Sequence, residues 1–117
     1  MTVRVINQSK NTIVVEDLEM ADTAWTRFKG LMGRAGLPKG AGIWIEPCAD
    51  IHSCFMRFEF DAIFLDKHGT VLYLKERMKP WRISKFVRGG RVVLEVDGGV
   101  IAATQTEVGD QLTVETG

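Results

Sequence analysis

Eighteen residues, His52 to Gly69 (HSCFMRFEFDAIFLDKHG), constrain the fold of this chain more than any other stretch. An extended segment alternates its side chains between two faces. Residues 52, 54, 56, 58 and 60 then share one face, and Ser53, Phe55, Arg57, Glu59 and Asp61 share the other. Neither set is cleanly polar, which predicts a strand covered on both sides. A kink at Phe58-Glu59-Phe60 separates it from a second strand, Ala62 to Asp66. Asp66-Lys67-His68-Gly69 reads as a type I turn with Gly69 at positive φ, and Val71 to Leu74 supply the returning strand.

The flanking sequence repeats this short-strand pattern. Val3, Val5 and Ile13, Val15 alternate around the turn-rich Asn7 to Asn11, an opening hairpin. Ile43-Trp44-Ile45 is a strand stopped by Pro47. Val92, Leu94 and Val96 alternate, with Glu95 facing away from them, and Leu112 with Val114 form a closing strand. Two stretches change period. Asp22 or Thr23 caps a helix carrying Trp25, Phe28 and Leu31 or Met32, which Gly33 and Gly36 end. Val100 to Ala103 forms one or two helical turns. The expected fold is mainly β: one compact barrel or sandwich over residues 1–117, with seven or eight short strands and two short helices.

Composition removes several function classes. The 117 residues hold fifteen acids and fifteen bases, so no global charge favours nucleic acid. Apolar runs of four or five residues fall far short of the roughly 20 that a membrane helix needs. The amino terminus lacks the apolar core of a signal peptide, and two cysteines make no disulfide framework. The expectation is a cytoplasmic protein, monomeric or a weak homodimer, with no cofactor. Glycine pairs at Gly89-Gly90 and Gly98-Gly99 lack phosphate-loop spacing.

The charges are nonetheless segregated. Lys75 to Arg91 (KERMKPWRISKFVRGGR) carries seven bases and one acid, while the remainder holds eight bases and fourteen acids, a net of −6. Lys79, Arg82, Lys85 and Arg88, interleaved with Trp81, make a candidate partner surface for an acidic protein. The acidic remainder argues against a polyanion such as nucleic acid. Trp81, after Pro80, either caps the barrel or meets that partner.

Three chemistries compete around the central stretch. Cys48, His52, Cys54 and Met56 are soft ligands suited to Zn or Cu(I), but alternate strand positions stand roughly 6.6 Å apart and converge on one ion only if the strand curls. Buried Cys and Met are also ordinary core fillers, and no metal is expected. His52 and Cys54, oriented by Asp61 or Glu95, would make a nucleophile pair and a small enzyme. Arg27, Arg34, His52, Arg57, Asp61 and Glu95 form a candidate set for a small anionic ligand, with arginines pairing a carboxylate or phosphate; the same arginines and acids equally suit a purely structural ion network. A binding module for a small anion or a protein partner is the expected function.

Several blocks, in order, carry a family resemblance. These are Arg27 with Gly30-Leu31-Met32-Gly33-Arg34, His52-Ser53-Cys54-Phe55-Met56-Arg57-Phe58, and Asp61-Ala62-Ile63-Phe64-Leu65-Asp66. Lys79-Pro80-Trp81-Arg82, and Leu94-Glu95 with Gly109-Asp110, complete them. Together they resemble the domain of unknown function 192 family over roughly residues 12 to 115. The resemblance implies a small mainly-β domain of bacteria and archaea, and no activity is established for the family as a whole. Many relatives carry an export or lipoprotein signal ahead of the domain. One departure stands out: Val96-Asp97-Gly98-Gly99 replaces the family's Leu-Pro-Ala-Gly before the second helix.

Overall fold

The computed structural model describes residues 2–21, 23, 34–52 and 57–116. The first strands, β1 (Val3–Asn7) and β2 (Thr12–Val15), pair antiparallel as the opening hairpin, and β8 (Leu112–Thr116) joins the other edge of β1. A second sheet has the order β3-β4-β7-β5-β6. Its strands are β3 (Asp17–Ala21), β4 (Ala41–Ile45), β5 (Phe60–Leu65), β6 (Val71–Met78) and β7 (Val92–Asp97). One short helix, α1 (Val100–Ala103), follows β7. The protein is mainly β, as its alternating runs predict.

The two sheets close around one core. Along one side, β2 runs into β3 through Glu16, whose N–H bonds Gly40 O. On the other side, a Thr70–Gln111 bridge links the start of β6 to β8. Val5, Val15 and Leu112 from the small sheet interlock with Leu18, Trp44, Ile63, Leu65, Leu94 and Val96 from the large one. Ile101 of α1 plugs this interior. The outer face of the large sheet is also apolar: Ala21, Ile43, Ile45, Phe60, Ala62, Phe64 and Val93, covered by Ile51, Val87 and Phe58. Every residue of β5 is therefore buried, the two-sided burial that its apolar run implies.

The covering loops are pinned to each other. Ile51 N–H bonds Ser84 Oγ and Ile51 O accepts from Ser84 N–H; Val87 N–H bonds Ala49 O, and Cys48 N–H bonds Arg91 O. Lys85 Nζ sits 4.4 Å from the centre of the Tyr73 ring, tying the same loop to β6.

Some boundaries differ from the sequence reading. β5 begins only at Phe60, residues 57–59 are not strand, and His52 makes an isolated bridge to Ile83; residues 53–56 lie outside the described residues. β6 continues four residues past Leu74, so Lys75 and Arg77 of the basic segment stand on a strand. β3, pairing parallel with β4, was not expected at all. The expected first helix, with Trp25 and Phe28, falls outside the described residues, and α1 is the expected second one.

Candidate functional site

Asp61 and Glu95 occupy neighbouring central strands yet cannot share a site. Ala62 is the register partner of Glu95, and Asp61 that of Val96. The two side chains therefore leave opposite faces of the sheet.

Asp61 is fully buried and binds backbone. Oδ1 accepts the Arg77 N–H at 2.8 Å, while Oδ2 accepts those of Gly99 (3.1 Å) and Ile101 (2.9 Å). The Gly99 and Ile101 amides begin α1, whose orphan donors require such an acceptor. The Arg77 amide belongs to a bulge. Phe60 pairs Met78 and Ala62 pairs Lys75, so Glu76 and Arg77 together oppose Asp61, with Arg77 at φ 49°. One carboxylate thus fixes both the helix start and the direction of Arg77. The Arg77 guanidinium lies against the Gly98-Gly99 backbone, where a Cβ on Gly99 would stand 3.0 Å from Nη2.

Glu95 lies on the outer face among Ile43, Ala62 and Val93, 3% exposed, and its Oε1 has no hydrogen-bond partner among the described residues. Burial pushes its carboxyl up to about 8, against the opposing pull of the Arg34 charge. Arg34 itself bonds Glu19 Oε2 at 2.7 Å, on the same cross-strand row. The folded chain keeps the Glu95 proton where the unfolded chain, titrating near the ordinary glutamate value of 4.5, has released it. Stability from this proton is complete below about pH 4.5, declines as pH rises, and is lost by about pH 8. Denaturant unfolding across that window is expected to show a decline of at most about 1.4 kcal/mol per pH unit from this group. Glu95→Gln is expected to flatten it; an equal slope in both proteins would refute the assignment.

Of the remaining expected site residues, His52 is half-buried and bridges Ile83, Arg57 is exposed ahead of β5, and Arg27, Cys54 and Met56 lie outside the described residues. Cys48 Sγ donates to Asp50 O. Among the described residues no three His, Cys, Asp or Glu side chains converge as a metal site. Asn7, Lys10 and Asp110 form a satisfied network. Burial raises the Asp110 carboxyl, but Asn7 and Lys10 override it and hold it below its ordinary value.

The structure brings together a different set. Lys75, Arg77, Lys79 and Arg82 line a groove of about 230 Å³ with Met78 and Ile83, with no acid among its described lining residues. Arg77 and Glu59 approach only to 4.0 Å, with both side chains largely solvated. In the loop that follows β6, Trp81, Ile83 and Phe86 are 59%, 78% and 70% exposed. The sequence reading placed Lys79 and Arg82 on such a surface but left out Lys75 and Arg77. Both stand on β6 past the end of its apolar run, where the structure continues the strand to Met78.

The comparisons agree with this fold. The family model described as "Uncharacterized ACR", the domain of unknown function 192, matches residues 4–114. A UPF0127 protein of Thermococcus sibiricus is 34% identical over 116 residues, covering 95% of this chain and 74% of that protein. A UPF0127 protein of Pyrococcus furiosus is 34% identical over 113 residues, covering 92% and 95%. Among solved structures, a Sinorhizobium meliloti protein described as a candidate transcription regulator superposes with a TM-score of 0.81 at 23% identity, covering 96% of this chain and 91% of that one. A Novosphingobium aromaticivorans protein of unknown function gives 0.78 at 24% identity, covering 95% and 82%. These two show the fold alone. In the described residues no helix is long and apolar enough to cross a membrane. With its sequence matched almost end to end, the chain belongs to the domain of unknown function 192 family.

Proposed function

We propose that this domain is a binding module for a small anion, a carboxylate or phosphate, held by Lys75, Arg77, Lys79 and Arg82. One observation carries this reading: among the described residues, four cationic side chains and no acid line a single groove. Ordinary protein surface intersperses charges of both signs. A groove of about 230 Å³ is small beside the roughly 300–1,000 Å³ of drug-sized pockets, which suits an anionic group better than a large organic ligand. Arginines pair such oxygens bidentately, and the bulge at Arg77 presents one of them from a rigid strand.

The rival reading, a small enzyme built on His52, Cys54 and Asp61, has less support. Both carboxylate oxygens of Asp61 already accept backbone N–H groups.

Calorimetric titration with inorganic phosphate and with citrate tests the proposal. Saturable binding is expected, weakening with salt. Arg82→Ala should weaken it roughly tenfold, the loss of one charge-assisted contact. Absence of binding by both anions, or undiminished binding in a Lys79→Glu/Arg82→Glu variant that stays folded, would overturn it.

A further inference from the structure

We infer that the loop carrying Trp81, Ile83 and Phe86 docks on an anionic lipid surface, the headgroup phosphates entering the adjacent cationic groove. This deepens the anion-binding reading and rests on it. The loop concentrates what the rest of the surface disperses. Elsewhere the described exposed large apolar residues, Ile13, Met20, Val108 and Val114, are spread along the chain, whereas here three fall within six positions. All three are more than half exposed, Ile83 most of all. Exposed Lys79, Arg82 and Arg88 flank them, and the groove adds Lys75 and Arg77. Apolar side chains able to enter an interface, set among cations that meet its headgroups, supply the two signals that stable peripheral binding requires.

The loop is also held in place. Ser84 bonds Ile51 in both directions, Val87 is buried and bonded to Ala49, and Lys85 is turned back over Tyr73. Little conformational freedom is left to lose on docking. Charge segregation supplies an orientation, because the net −6 of the remaining chain favours turning away from an anionic surface.

Other occupants fit less well. A second copy meeting this patch symmetrically would bring seven bases against seven. A nucleic acid would use stacking faces, and the most exposed residue here, Ile83, has none. A protein partner would need pockets shaped to three projecting side chains, whereas a lipid interface accepts them without a preformed cavity.

The test is co-sedimentation of the full chain with phosphatidylcholine vesicles, with and without phosphatidylserine, alongside phosphate titration of the same proteins. Binding only to the phosphatidylserine vesicles is expected at about 0.1 M salt, and its loss at about 1 M. Trp81 emission should shift to the blue on binding, a shift that Trp81→Phe removes. Trp81→Ala/Phe86→Ala should cut partitioning at least roughly tenfold while phosphate affinity stays within about twofold, since neither residue lines the groove. Lys79→Glu/Arg82→Glu/Arg88→Glu should cut it by more than roughly fivefold per residue. Phosphate binding without vesicle binding would overturn the lipid assignment and leave the groove standing. Loss of both in the wild type would overturn both. Undiminished sedimentation of the Trp81→Ala/Phe86→Ala variant would overturn docking through the apolar side chains. Binding to soluble polyglutamate but to no vesicle would replace the lipid with an acidic polypeptide.

Discussion

Gly69→Val is expected to destabilise the domain by at least about 3 kcal/mol, read as a fall in denaturant midpoint at unchanged slope. Two effects add. Gly69 sits at φ 82°, closing the Asp66 turn with its N–H on Asp66 O, and a β-branched side chain is strained there by about 1–2 kcal/mol. The second effect comes from the far side of the fold. A Cβ at Gly69 would collide with the carbonyl oxygen of Leu112 and stand 3.0 Å from Gln111 Nε2, where the 69–71 segment meets β8. Backbone cannot retreat cheaply there, because Gly69 O also accepts the Leu112 N–H at 2.9 Å. Alanine replacements separate the two effects. Gly109, at φ 96°, has nothing within 4 Å of an added Cβ. Gly69→Ala should therefore cost clearly more than Gly109→Ala, and equal losses would disprove the packing contribution.

Asp61→Ala is expected to be of similar size, about 3–5 kcal/mol. It strands the N–H groups of Arg77, Gly99 and Ile101, and an unsatisfied buried donor costs about 1–3 kcal/mol. Ile101 is the most severe case, since its side chain plugs the core and its amide is shut away from water. Asp61→Asn keeps the shape but offers one acceptor oxygen to three donors and turns an NH₂ toward backbone N–H groups. It should cost roughly half as much. Both variants also free the bulge that aims Arg77, so the folded fraction should bind phosphate more weakly. Wild-type stability in Asp61→Ala would show that these bonds are dispensable. Wild-type phosphate affinity in folded Asp61→Asn would show that the bulge does not position Arg77.

The local features were legible in the sequence. The Asp66–Gly69 turn follows from residue chemistry alone: an aspartate whose Oδ1 accepts the His68 and Thr70 N–H groups, then a glycine free to take positive φ. Alternation located β1, β2, β7 and β8, the short apolar run before Pro47 located β4, and the unbroken apolar run of β5 implied burial on both faces. The cation excess of Lys75 to Arg91 needed only counting.

What tertiary structure decided depends on partners distant in the chain. β3 alternates poorly, with Glu19 and Met20 both exposed, and is a strand because β4 offers it a parallel edge about twenty residues later. β6 outruns its apolar pattern because β5 continues to pair with it beyond Leu74. Asp61 and Glu95 looked like members of one charged cluster. Register alone sends one to cap α1 and the other into an apolar layer, where it keeps its proton. The cationic groove is tertiary as well, since Arg82 and Ile83 of the following loop line it together with β6 residues. Residue chemistry and period thus determined which segments extend and turn. Pairing register, set by contacts between remote segments, decided which side chains share a face and which charges meet.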